Sequence, residues 1–201
     1  MTFIKFCGMT READVAKAIE LGVDAVGFVL WPGSPRHVDL SRARILIRML
    51  PPVVTPVGVF VRPGHDDIAA AIAAGIRVSQ IHGTSDNGFG AADGEVWIAA
   101  SLGDDGMTPR VGEGYTVLLD AGDPERFGGT GRTIDWHEAA RVSATRRVLL
   151  AGGLTAANVA EAVRRVRPYG VDVASGIEAR PGVKDPAAMQ AFVAAVREAD
   201  R

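Results

Sequence analysis

The run Ala25-Val26-Gly27-Phe28-Val29-Leu30 has no polar residue at any position. A strand with one face in water alternates polar and apolar residues, whereas a strand covered on both faces does not. Working outward, further short, β-branched runs fall at 3–7, 56–61, 77–81, 95–100, 115–120, 147–151 and 171–175. With 24–30 they make eight strand candidates, starting about 20 to 30 residues apart as repeated βα units do.

Helical signals fill most of the gaps. Thr10 opens a predicted helix over 10–21, with Glu12 and Asp14 near its positive end and Gly22 beyond its last turn. Ser41 opens 42–50, which Pro51-Pro52 terminates, and 65–74 runs to Gly75. Asp135 and Glu138 have the spacing of a capping box. A helix over 155–167 precedes Pro168, and Asp185-Pro186 starts another with Met189, Phe192, Val193 and Val196 on one face. Segments 83–94 and 102–114 are glycine-rich without helical periodicity. The expected fold is an α/β (β/α)8 TIM barrel, one domain over residues 1–201, with the helices after strands 4 and 5 reduced or replaced by loops. A doubly wound open sheet is the alternative, but no dinucleotide-type glycine loop follows the first strand.

Composition narrows the function. Of 201 residues 47% are apolar, and 24 acidic against 22 basic residues leave a net charge of −2, so a strongly basic nucleic-acid-binding surface is not expected. Only Lys5, Lys17 and Lys184 are lysines, a skew toward arginine read here as compositional bias. No run of 18 apolar residues suggests a membrane span, and the start lacks a secretory pattern. One cysteine and four scattered histidines predict neither a disulfide nor a metal site. The expectation is a cytoplasmic monomer that acts on a small phosphorylated molecule, with no metal, cofactor, nucleic acid or membrane partner.

In such barrels the site forms at the carboxyl ends of the strands. Those ends carry Cys7, the loop from Trp31 to Arg36, Arg62, His82, Ser101, Asp120, Gly152-Gly153 and Ser175-Gly176. Gly152, Gly153, Ser175 and Gly176 form turns after strands seven and eight, the usual phosphate site of this fold, or serve only as tight turns. Cys7 is a small buried hydrophobe or a thiol activated by Lys5, which lies two residues earlier on the same strand face. Asp120 is a mouth acid or a turn cap, with Asp123 and Asp135 as competing acids, Asp135 already having its capping role. Arg36 is a solvated surface residue or an anion ligand, and His82 a satisfied polar group or a participant. Residues 127–133, Phe-Gly-Gly-Thr-Gly-Arg-Thr, look like a mobile lid.

Lys5-Phe6-Cys7-Gly8-Met9-Thr10 resembles the first-strand motif of the phosphoribosylanthranilate isomerases of tryptophan biosynthesis. Gly27-Phe28-Val29, Ser34-Pro35-Arg36, Gln80-Ile81-His82-Gly83 and Leu118-Leu119-Asp120 follow in the family's order. So do Gly128-Gly129-Thr130-Gly131-Arg132-Thr133-Ile134-Asp135-Trp136, Ala151-Gly152-Gly153-Leu154 and Ala174-Ser175-Gly176-Ile177-Glu178, so the likeness spans the chain. It implies a metal- and cofactor-free Amadori rearrangement of N-(5-phosphoribosyl)anthranilate to 1-(2-carboxyphenylamino)-1-deoxyribulose 5-phosphate. Cys7 then matches the general base, Asp120 the general acid, Arg36 the ligand of the anthranilate carboxylate, and the two glycine turns the phosphate site. The lysine common in the family's fifth strand is missing from Val96-Trp97-Ile98-Ala99-Ala100. Rival readings are the related isomerisation in histidine synthesis, a non-catalytic barrel that binds phosphorylated metabolites, and a Cys7–His82 hydrolase. Cys7 at the end of strand one and the absence of half-to-half repetition argue against the first.

Overall fold

Strand parity sorts the chain into an inside and an outside. The computed structural model describes residues 1–83, 88–89, 94–102, 111–112, 114–120 and 134–201. Eight parallel strands pair in chain order and close on themselves: β1 (Phe3–Phe6), β2 (Ala25–Val29), β3 (Thr55–Val61), β4 (Val78–His82), β5 (Glu95–Ser101), β6 (Thr116–Asp120), β7 (Val148–Leu150) and β8 (Gly170–Val173). β8 returns to β1 in the register Lys5↔Asp172. All eight expected strands are present, their ends differing by at most two residues.

One parity points into the barrel. Ala25, Val57, Val78, Trp97, Leu118, Leu149 and Ala151, from six strands and the residue after β7, pack together with Phe3 as an apolar floor. The other parity (Ile4, Phe6, Val26, Phe28, Phe60, Val117, Leu119, Val171) packs outward against helix residues such as Val15, Leu46, Ala162 and Phe192. Both faces are therefore covered, as the unbroken apolar runs require. Burying one side chain of the size of Phe192 contributes roughly 1.5–3 kcal/mol.

The helices are α1 (Glu12–Glu20), α2 (Leu40–Ile47), α3 (His65–Ala74), α4 (Trp136–Ser143), α5 (Val159–Val166) and α6 (Pro186–Ala199). Among the described residues no helix stands between β4 and β5 or between β5 and β6, and most of the glycine-rich segments 83–94 and 102–114 lies outside the described residues. Asp185 caps α6 as expected and Asp135 caps α4, but the Glu138 carboxylate meets His137 and Arg141 instead of completing the expected capping box, and Gly75 ends α3 with φ +109°. Other caps differ. Arg11, not Thr10, precedes α1, because the Thr10 hydroxyl donates instead to the Gly182 carbonyl at 2.5 Å. Asp39, not Ser41, caps α2 by accepting from the Arg42 N–H at 2.7 Å, and that helix stops at Ile47. α5 starts at Val159, after Asn158 ties back the turn by accepting from the Thr155 N–H at 2.8 Å and donating to the Gly153 carbonyl at 3.0 Å. Between β8 and α6 the chain makes a single 3-10 turn, Ser175–Ile177, followed by a small antiparallel hairpin, β9 (Glu178–Arg180) and β10 (Val183–Lys184).

Candidate active site

The carboxyl ends of the strands bring most of the expected residues into one cavity of about 390 Å³. Cys7, Arg36, His82 and Asp120 line it, with Trp31, Ser34, Pro35, Val29, Val59, Val61, Gln80, Leu118, Asp172, Ala174 and Pro181. Arg62 and Ser101 lie outside this lining. Arg62 is exposed and donates from Nε to the Gly83 carbonyl at 3.2 Å. Asp123 and the 127–133 segment lie outside the described residues.

Beneath the mouth the barrel interior is polar. Lys5, two residues before Cys7 and on the same face, is fully buried, and its Nζ donates to Asp172 Oδ1 at 2.8 Å. β2 leaves room for both side chains. A Cβ on Gly27 would lie 3.0 Å from Cys7 Sγ and 3.1 Å from Lys5 Nζ, so the glycine inside that apolar run serves the site. Burial pushes the Cys7 thiol above its ordinary value. The cations Lys5 and Lys184 pull it down, and Asp172 adds to the rise. The sequence expectation that Lys5 leaves the thiol net acidified is thus corrected: in this dry setting desolvation outweighs the neighbouring charges. Burial also works against the Lys5 charge, but Asp172 and then Cys7 more than compensate, so the ammonium is held. Burial, followed by the nearby Lys5, lowers His82 to about 4, which leaves the ring neutral near pH 7. Its Nε2 lies 2.8 Å from Gln80 Nε2.

Arg36 does not sit in solvent. Its Nε and Nη2 donate to the two oxygens of Glu178 at 2.9 and 2.7 Å, a two-point pair with a carboxylate only 4% exposed. Gly8, with φ +75°, makes this possible, since a Cβ there would fall 2.6 Å from Arg36 Cδ. Glu178 also accepts from Lys184 Nζ at 2.9 Å and from the Gly182 N–H at 3.2 Å. Lys184 Nζ in turn donates to the carbonyls of Cys7 at 2.6 Å and Ala174 at 3.0 Å, bolting the ends of β1 and β8 together. Burial works against the Glu178 charge, but Arg36 and Lys184 outweigh it and hold the carboxyl below its usual range. The pair uses one edge of the guanidinium. The end formed by Nη1 and Nη2 still has N–H groups to offer a second carboxylate.

The two glycine turns lie beside one another at the edge of the mouth rather than in the cavity lining. A Cβ on Gly176 would fall 1.9 Å from the Leu154 carbonyl oxygen, so the turn after β8 packs directly on the turn after β7. Gly152 and Gly153 have φ of +80° and +62°. Among the described residues, the backbone hydrogen bonds outside helices and strands include none donated by the N–H groups of Gly152, Gly153, Ser175 or Gly176.

Sequence reasoning assigned no role to Asp172, Glu178, Lys184, Gln80 or Trp31. The first three had a legible signal, namely a charge inside or against a strand whose neighbours are apolar.

The family model described as N-(5'phosphoribosyl)anthranilate (PRA) isomerase matches residues 4–195. N-(5'-phosphoribosyl)anthranilate isomerase of Chromohalobacter salexigens is 45% identical over 200 residues, covering 97% of this chain and 94% of the relative. Among solved structures, phosphoribosyl anthranilate isomerase from Thermus thermophilus superposes with a TM-score of 0.88 at 34% identity, covering 98% of this chain and 99% of that one. A phosphoribosyl anthranilate isomerase in complex with reduced 1-(o-carboxyphenylamino)-1-deoxyribulose 5-phosphate matches with a TM-score of 0.82 at 30% identity, covering 98% and 100%.

Proposed function

The chain belongs to the N-(5'-phosphoribosyl)anthranilate isomerase family, and from that premise we propose that it rearranges its substrate by general acid–base catalysis, with Asp120 as the acid and Cys7 as the base. The reaction is the conversion of N-(5'-phosphoribosyl)anthranilate to 1-(2-carboxyphenylamino)-1-deoxyribulose 5-phosphate, a step of tryptophan biosynthesis. The observation that carries the assignment of roles is that Cys7 and Asp120 line the same cavity from β1 and β6.

The substrate has an anion at each end, and the barrel mouth has a place for each. The adjoining turns Gly152-Gly153 and Ser175-Gly176 offer backbone N–H groups to the phosphate. The free edge of Arg36 takes the anthranilate carboxylate, with Trp31, Pro35 and Pro181 beside it as apolar surface for the ring. Between the anions the sugar lies over Cys7, His82 and Asp120.

Protonated Asp120 gives its proton to the ring oxygen as the C1–O bond breaks and the anthranilate nitrogen lone pair forms an iminium at C1. The iminium acidifies C2–H. Cys7, as thiolate, takes that proton, and the C2–H electron pair becomes the C1–C2 double bond of an enolamine. Loss of the enol proton and protonation at C1 give the ketone, leaving the overall composition unchanged. Because burial keeps the free thiol protonated at neutral pH, the cations beside it carry the work of making the thiolate accessible. His82, neutral and tied to Gln80, serves the sugar as a hydrogen-bonding group rather than as a charge.

The same reading takes residues 1–201 as one barrel domain working as a cytoplasmic monomer. Among the described residues no helix is long and apolar enough to cross a membrane. The monomer has a structural counterargument in Ile45, Met49, Val53 and Ile72, which are exposed on and beside α2 and α3. Sedimentation equilibrium at micromolar concentration decides it, a dimer mass overturning the proposal.

The reaction itself is tested by following substrate fluorescence with the wild-type protein. Loss of the N-(5'-phosphoribosyl)anthranilate signal is the expected result. A folded protein that leaves the signal unchanged overturns the reading and moves the weight to the histidine-pathway substrate.

A further inference from the structure

The middle of the barrel holds one amide that the mechanism above leaves unexplained. Gln80 lies on β4 between Val59 of β3 and Trp97 of β5, is 1% exposed, and lines the cavity. Its register mates are apolar, and an aliphatic side chain would fill the same space without the cost of burying an amide. One end of the amide, Nε2, is 2.8 Å from His82 Nε2, and the other, Oε1, is buried with no hydrogen-bond partner. Turning the amide over exchanges the atoms but not the situation. One end is held by His82, and the other is left with its hydrogen bond unmade on a residue that lines the cavity. A buried polar atom in that condition calls for a partner from outside the protein, and at a cavity wall a bound ligand can supply it.

The chemistry of the missing partner can be narrowed. The two anions of the substrate have their places at the glycine turns and at Arg36, both above this layer, so what lies over Gln80 is the chain between them. That chain carries hydroxyls, and a hydroxyl both donates and accepts, so it fits either orientation of the amide. We propose, resting on the substrate reading above, that Gln80 is a specificity-determining residue that hydrogen-bonds one hydroxyl of the ribosyl chain, with His82 locking its amide in place. The ring is suited to that second duty, because burial beside Lys5 keeps it neutral and able to hold one tautomer.

The test measures, by titration, the Kd of reduced 1-(2-carboxyphenylamino)-1-deoxyribulose 5-phosphate and of versions lacking one chain hydroxyl each, for wild type and Gln80→Met. Gln80→Met is expected to weaken the intact ligand by about five- to tenfold. One deleted hydroxyl should weaken wild-type binding by a similar factor and cost the variant nothing further, while inorganic phosphate competes equally in both proteins. Intact ligand binding equally tightly to both proteins overturns the proposal, as does a full multiplication of the two losses for every hydroxyl. If Gln80→Met does not fold, the wild-type series still decides, since no single deletion costing affinity contradicts the contact. Failure of the wild type to bind the intact ligand overturns the substrate reading, and this inference with it.

Discussion

Lys5 and Asp172 form an ion pair at 2.8 Å inside the barrel, joining β1 to β8 with the lysine fully buried and the carboxylate 8% exposed. The cation of this pair also stands beside the Cys7 thiol, so one contact closes the barrel and sets the charge around the proposed base.

Removing one partner strands the other. Lys5→Met is expected to lose about 3–5 kcal/mol of stability, measured by urea unfolding, because it leaves Asp172 buried and unpaired. It also removes the charge that lowers the Cys7 thiol most, so the alkylation rate of Cys7 should rise at higher pH than in the wild type. Lys5→Met/Asp172→Leu should recover much of the stability without recovering turnover. An unchanged alkylation profile in Lys5→Met would contradict the electrostatic role.

Arg36 spends one edge on Glu178, and the proposed function gives its other edge to the substrate carboxylate. Arg36→Ala and Arg36→Lys should both raise KM by about ten- to a hundredfold with a much smaller change in kcat, since a lysine cannot make two-point contacts on both sides. Steady-state kinetics with an unaltered KM would show that the carboxylate is bound elsewhere.

Gly176 is where the turns after β7 and β8 touch. Gly176→Ala places a methyl group 1.9 Å from the Leu154 oxygen and must push the turns apart, at an expected cost of about 1–3 kcal/mol. Inorganic phosphate should lose potency as an inhibitor of this variant by about tenfold or more, as the donors move apart. Phosphate inhibition identical to that of the wild type would remove these turns from the binding site.

His82 titrates at about 4 when folded, against 6.5 for the unperturbed ring. A folded pKa below the unfolded one means that the unfolded chain binds the proton first. The contribution is therefore complete above pH 6.5 and lost as pH falls toward 4, amounting to roughly 3 kcal/mol. Unfolding free energy followed over that window should fall less steeply in His82→Gln. Parallel slopes for the two proteins would show that another group is responsible.

The strands were legible because a barrel strand covered on both faces must be apolar at both parities, and Ala25–Val29 displays this without interruption. Cap positions were less legible. Ser41 and Asp39 are both good caps, and only the approach of the chain from β2 places Asp39 at the first turn. For the site, residues at strand ends were readable from the fold rule alone, whereas the network behind them was not. Glu178 and Lys184 lie on a hairpin that no periodicity announces, and they reach Arg36 and Cys7 across 142 and 177 positions of sequence. The scarcity of lysine was itself a clue read too lightly. Two of the three lysines, Lys5 and Lys184, are buried at the site, each as a compact ammonium held by a carboxylate.

The central claim is that Cys7 and Asp120 move the protons while other groups hold the substrate. The most direct test measures turnover of N-(5'-phosphoribosyl)anthranilate by Cys7→Ser and Asp120→Asn, with the Kd of the reduced product analogue measured on the same preparations. Each variant is expected to lose at least about a hundredfold in kcat while binding the analogue within a few-fold of wild type. Near-wild-type turnover by either variant would contradict the role assigned to that residue.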